Sequence, residues 1–122
     1  MNWIPIAIQL VIALSIYNVW ILRVNKPTSW RGGKAQNMKE EFATYGLPVW
    51  FMIFIGALKI IFATMLIAGI WLPELVRPAA VGMALLMLGA ITMHFKVKDP
   101  LVKSLPSFTF LVLSLILVYV YY

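Results

Sequence analysis

The chain has 122 residues, 63% of them hydrophobic and 11% charged, with a mean hydropathy of +0.94 and a formal net charge of +6. A soluble domain of this length needs far more polar surface, so the composition excludes one and points to an integral membrane protein with a single transmembrane domain over residues 1–122. The basic excess comes without a nucleic-acid-binding motif and is what loops on one side of a bilayer collect, which argues against nucleic acid as a partner.

In chain order, the first apolar run is residues 3–22. "NWIPIAIQLVIALSIYNVWIL" lacks a basic n-region, and "ILRVNKP" is not a small-residue cleavage site, so this run reads as a retained membrane helix and not a signal peptide. The loop that follows is basic. Within it Ala35, Met38, Phe42 and Tyr45 recur at three- and four-residue spacing, with Lys34, Lys39, Glu40 and Glu41 on the other face. This is a short amphipathic helix, either lying on the membrane surface or serving as a connector packed on the end of the bundle. "YGLP" then ends one helix at Gly46 and starts the next near Pro48.

The second run is 49–72. "LPELVRP" turns into the third, 76–95, and "KVKDPLVKSLP" leads into the fourth, 105–122. Each run is close to the ~20 residues that cross a ~30 Å hydrocarbon core, and backbone at that depth must be helical. Short joins make sequential helices antiparallel neighbours, so the expected fold class is all-α, a four-helix membrane bundle with a short interfacial helix in its first loop.

Orientation follows from the basic residues. Arg23, Lys26, Arg31, Lys34, Lys39, Lys96, Lys98 and Lys103 fall in the first and third loops, whereas Arg77 alone falls on the opposite face. That bias predicts cytoplasmic first and third loops and both termini outside. Trp3, Trp20, Trp50, Trp71, Tyr119, Tyr121 and Tyr122 lie near the span ends, where an aromatic belt is expected.

One residue conflicts with its surroundings. Lys59 sits at the centre of the second span, where a charge costs about 2.5–3.5 kcal/mol on insertion scales. No acid is expected at its depth, because Glu40, Glu41 and Asp99 belong to the basic loops and Glu74 to the opposite face. Four readings are open. Lys59 can snorkel toward the basic end, be neutral, meet polar groups such as Gln9, Ser15, Asn18 or Thr64, or bind an anionic or carbonyl-bearing ligand such as a lipid phosphate or a quinone oxygen.

His94 lies near the basic end of the third span on the face of Ala80, Met83, Met87 and Ala90. Its plain reading is a capping or solvated group. About eight residues of rise separate it from Lys59, roughly 12 Å, so a direct pair is not expected. Small residues such as Gly56 and Ala90 allow close helix approach. The residues expected to bind a ligand are Lys59, His94, Gly56, Asn18 and Ala90.

No nucleophile–base set, paired membrane carboxylates or phosphate-binding glycine loop is present, so no catalytic residue is assigned. The chain has no cysteine and one histidine, which argues against a metal site.

"EFATYGLPVWFMIFIGALKIIFATMLI" followed by "RPAAVGMALLMLGAITMHFKVKDP" resembles the DoxX-like family of small bacterial four-helix membrane proteins. The features that carry the resemblance are Phe42 before Gly46, Leu47 and Pro48, then Gly56 with Lys59, then Gly89 and Ala90, and His94 near Asp99 and Pro100. The resemblance implies a bacterial inner-membrane protein. Some relatives are linked to thiosulfate:quinone oxidoreduction or to membrane-associated oxidative-stress complexes. Members often carry an acid or a lysine at the Lys59 position, and a lysine there weakens any mechanism that demands a membrane carboxylate. The expected function is an accessory subunit that binds a quinone or lipid in an intramembrane cavity and supports a membrane redox or stress-response partner. The alternatives are a small transporter or channel component, which would need a homo-oligomer, and a membrane enzyme acting on a hydrophobic substrate, which is the less favoured.

Overall fold

The structure, a computed structural model, describes residues 3–28 and 30–121. Asn2 and Tyr122, which figure in the sequence reading, lie outside the described residues. Five α-helices follow in order: α1 (Trp3–Tyr17), α2 (Met38–Thr44), α3 (Val49–Ala68), α4 (Val76–Lys96) and α5 (Leu105–Val120). A π-helical turn, Asn18–Leu22, extends α1, and short 3-10 turns at Pro73–Leu75 and Leu101–Ser104 lead into α4 and α5. With these extensions, four stretches among the described residues are long and apolar enough to cross a membrane: Trp3–Leu22, Val49–Ala68, Pro73–Lys96 and Leu101–Val120.

The second span ends earlier than the apolar run suggests. The Gly69 N–H still bonds to the Met65 carbonyl at 2.8 Å, but Leu72 precedes Pro73 and leaves the helical region at ψ 79°. A residue before proline is pushed out of the α conformation by the proline ring, so the turn forms there and Pro73 opens the third span.

In the bundle α1 packs on α3, α3 on α4 and α4 on α5, and α1 closes against α5. Ile12, Ala13 and Ile16 of α1, Ala63 and Leu66 of α3, Ala79, Ala80, Met83 and Met87 of α4, and Leu117 of α5 form the core. At the end away from the basic loops the fully buried Gln9 donates from Nε2 to the Leu66 carbonyl at 2.8 Å, and Tyr121 donates its hydroxyl to Gln9 Oε1 at 2.9 Å. The outer faces present Leu14, Ile53, Leu85 and Leu115, as lipid contact requires. Trp3, Trp50, Trp71 and Tyr119 are exposed near the span ends in keeping with an aromatic belt, but Trp20 is not part of it: the fold buries that indole to 8% exposure.

The first-loop helix is the packed connector. Asn37 caps α2 by accepting the Glu40 N–H at 2.8 Å, and Gly46, at φ +81°, ends it with the Leu47 N–H bonded to the Phe42 carbonyl at 2.9 Å. That left-handed position is open to glycine without the penalty that a Cβ imposes. Met38 and Phe42 turn into the bundle as their spacing requires. Glu41, expected on the outer face, is also buried, because Arg31 lies beneath it.

Candidate functional site: a roofed cavity at the basic end

The four spans separate at the basic end around a cavity of about 720 Å³. Its apolar walls include Phe51 and Ile55 of α3, Leu86 and Met87 of α4, and Phe110 of α5. This size lies in the usual range for a small-molecule site.

The α1 wall owes its shape to the π turn. The Arg23 N–H reaches back five residues to the Asn18 carbonyl at 2.9 Å, one residue further than in an α-helix. The wider turn lets the consecutive residues Asn18, Val19 and Trp20 all border the cavity. Trp20 then lies against Gly56 of α3, where an added Cβ would come within 2.6 Å of the indole ring. Gly56 is therefore the seat of Trp20 and is not among the cavity-lining residues, unlike Lys59, His94, Asn18 and Ala90.

Lys59 Nζ stands over the Trp20 ring, 5.2 Å from its centroid. The ring quadrupole attracts a cation placed there. Of the polar partners considered from sequence, Gln9 is committed to Leu66 and Tyr121, and Thr64 to Tyr17 at 2.7 Å and to the Ile60 carbonyl at 2.8 Å. Ser15 and Asn18 border the same cavity. Among the described residues Lys59 makes no hydrogen bond or close ion pair, and the Glu41 carboxylate acts on it only through space, so its amino group has unused hydrogen-bonding capacity at the cavity.

From Lys59 an aromatic wall runs to the mouth. Trp20 meets Phe42 edge-on at 6.0 Å, Phe42 meets Tyr45 at 6.1 Å, and Tyr45 meets His94 edge-on at 5.9 Å. No direct contact joins Lys59 to His94 among the described residues. His94 is buried, contrary to the solvated reading, and its Nδ1 is 2.7 Å from Asp99 Oδ2. Lys98 makes this possible. It adopts a left-handed φ of 59°, so the chain folds back, the Asp99 N–H bonds to the His94 carbonyl at 3.0 Å and the carboxylate faces the ring. A carboxylate on Nδ1 fixes the tautomer or protonation state in which Nδ1 carries hydrogen, leaving Nε2 for the cavity.

Burial alone would raise the Asp99 carboxyl. The His94 hydrogen bond, the Gly33 N–H at 2.9 Å and the nearby Lys103 and His94 charges outweigh it and hold the group below its ordinary range.

The mouth is roofed by the first loop. Arg31 is 4% exposed and donates to the carbonyls of Arg23 (2.6 Å) and Lys26 (2.8 and 3.0 Å) and to Glu41 Oε1 (3.3 Å). Glu41 Oε2 accepts the Gly32 N–H and the Tyr45 hydroxyl, each at 2.8 Å. Lys103 donates to the carbonyls of Arg31 (2.8 Å) and Gly33 (2.6 Å), and Lys96 to that of Tyr45 (2.9 Å). Burial, reinforced by the Glu41 carboxylate, pushes the Tyr45 phenol well above its ordinary range. The four residues Trp20, Arg31, Glu41 and Asp99 escaped the sequence reading of the site. The His94-to-Asp99 spacing is the one signal in the sequence that could have pointed to Asp99, and Arg31 and Glu41 had none.

Four membrane-capable helices around a cavity with a lysine floor and a folded roof define a small multi-pass membrane protein with an internal pocket. The family model for the DoxX-like family matches residues 29–117, which takes in the roof from Trp30 onward, α2, α3, α4 and most of α5. The chain belongs to that family. No curated protein and no solved structure matches it.

Proposed function

We propose that the protein is an accessory subunit of the bacterial inner membrane that holds a quinone or a lipid in this cavity and supports a membrane redox or stress-response partner. The basic end is cytoplasmic in this reading and both termini are outside, in keeping with the basic bias of the first and third loops. The observation that carries the proposal is Lys59. Its ammonium stands over Trp20 at the floor of a roofed, largely apolar cavity and lacks a protein acceptor among the described residues.

A ligand with an apolar body and an oxygen-bearing head satisfies both features. Its oxygens accept from Lys59, Asn18 adds a polar contact, and Ala90 leaves room on α4. His94, held by Asp99, offers Nε2 nearer the mouth. Gly56 acts through Trp20 and not by contact. The family resemblance supports the redox setting, since some relatives serve such complexes.

The test is extraction of the wild type and of Lys59→Ala into lipid nanodiscs directly from the membrane, followed by mass spectrometry of the bound quinones and lipids. The wild type retains one such species at near-stoichiometric level and Lys59→Ala is depleted of it. Equal retention by both overturns the lysine-centred reading.

A further inference from the structure

The geometry points to an anion subsite at the floor of the cavity: Lys59, flanked by Ser15 and Asn18 and backed by the face of Trp20, takes the carboxylate or phosphate head of a single-chain amphiphile. This deepens the proposed function and rests on it. The chain has four acidic residues, and the fold commits or removes each of them. Glu40 closes the α2 cap with Gln36 and Asn37, and Glu74 lies in the turn at the far end of the bundle. Asp99 is taken by His94 and the Gly33 N–H, and Glu41 by Arg31, the Gly32 N–H and the Tyr45 hydroxyl. Glu41 borders the same cavity and acts on Lys59 only through space, because its carboxylate is already held by Arg31, so among the described residues no carboxylate is in contact with Lys59.

The Trp20 face offsets only part of what an ammonium loses on leaving water, whereas an opposite charge in contact offsets most of it. A neutral head supplies acceptors but leaves the charge standing. An anionic head supplies both. The remaining polar groups fit the same chemistry: Ser15 and Asn18 border the cavity, and neither side chain is engaged in a hydrogen bond among the described residues. Arg23, Arg31 and Lys103 also line it against the single carboxylate of Glu41, so the charges bordering the cavity are mostly basic.

The apolar chain has a route as well. Val19 on the α1 side and Ser107 and Phe110 of α5 border the cavity from opposite sides, whereas Gln9 and Tyr121 tie α1 to α5 at the other end. Both of these helices border the cavity at this level, and in this proposal the single acyl chain leaves between them while the head stays on Lys59.

The full chain in zwitterionic-lipid nanodiscs is titrated with three probes brominated beside the head: 2-bromododecanoate, 2-bromododecyl phosphate and the neutral 2-bromododecan-1-ol. Tryptophan quenching is the readout, in a Trp30→Phe background because Trp30 also lines the cavity. Probe dissolved in the bilayer quenches the exposed Trp3, Trp50 and Trp71 without saturating. A head on Lys59 quenches Trp20 and saturates. The expected result is saturable quenching by at least one anion with Lys59 intact and in Lys59→Arg, weakened about tenfold or more in Lys59→Met, and no saturable phase with the alcohol.

Saturation by the carboxylate alone assigns a fatty-acid-type head, and by the phosphate alone a phospholipid-type head. Saturation by the alcohol at the same midpoint, or an unchanged midpoint in Lys59→Met, overturns the anion subsite. A short-tailed quinone is run in parallel. If it quenches saturably where the anions do not, the anion subsite falls and the cavity reading stands. If no probe saturates, both fall.

Discussion

Removing the Glu41 carboxylate should unlatch the roof without disturbing the spans. The side chains of Arg31 and Glu41 are 4% and 12% exposed, so solvent screens their interaction little. In Glu41→Ala, Arg31 Nη1, the Gly32 N–H and the Tyr45 hydroxyl lose their acceptor together. Hydrogen bonds to charged groups contribute ~1.5–3 kcal/mol each, but three bonds to one carboxylate are not additive. Breaking a buried ion pair costs about 3–5 kcal/mol. Arg31 keeps the Arg23 and Lys26 carbonyls, which places the loss at the low end, about 3 kcal/mol.

Because the roof opens as a local unit, this appears as roughly hundredfold faster hydrogen exchange at Gly32 and along residues 31–46, with α3 and α4 core amides unchanged. The double variant Arg31→Met/Glu41→Ala should recover part of the loss, since no charge is then left buried. Exchange within threefold of wild type in Glu41→Ala, or a coupling energy below ~0.5 kcal/mol in the cycle, refutes the reasoning.

Gly56→Leu forces a side chain into the Trp20 ring, so the indole must leave Lys59. A thermal loss of about 1–3 kcal/mol and a red-shifted Trp20 emission are expected, and an unchanged emission spectrum counts against the Gly56 seat. Asp99 gives a pH dependence of definite sign. Its folded pKa lies below the unfolded value of about 3.9, so its stabilisation is present in full above that value and is lost only as pH falls through the lower folded value. Exchange at the Gly33 amide should therefore stay flat from neutral pH to about 5, after correction for intrinsic rates, and accelerate under stronger acid, while Asp99→Ala, which removes the acceptor, shows fast exchange throughout. Tyr121→Phe leaves Oε1 of the fully buried Gln9 without its donor, which lowers the unfolding midpoint by the equivalent of ~1–3 kcal/mol. An unchanged midpoint would show that the bond contributes nothing.

The architecture was legible because it depends on local quantities. Apolar run length marks the spans, Pro48 and Pro73 sit at starts, and Gly46 ends the first-loop helix where "YGLP" indicates. The floor of the site was legible for the same reason: a lysine in the middle of an apolar run stands out in one dimension. The roof was not. Arg31, Glu41 and Asp99 are ordinary loop charges until the backbone folds them inward, and pairing over ten residues or bridging from Gly33 to Asp99 leaves no periodic trace. Trp20 shows the opposite failure. A tryptophan near a span end reads as belt, and only the π turn together with the missing side chain at Gly56 turns it inward. Pitch changes of this kind have no residue signature comparable to a proline or a glycine cap.

The stitching of the two basic loops also sets an order of events in synthesis. Gly33 bonds to Asp99, and the Arg31 and Gly33 carbonyls bond to Lys103, about seventy residues later in the chain. A nascent protein that has inserted only α1 and α3 already contains both Lys59 and Trp20, but it has neither the α4 and α5 walls nor the anchors for its roof. The pocket is thus among the last features of the molecule to exist. Asp99 and Lys103 supply the anchors of the roof, and the chamber closes only when α5, which follows them in the chain, brings in its last wall.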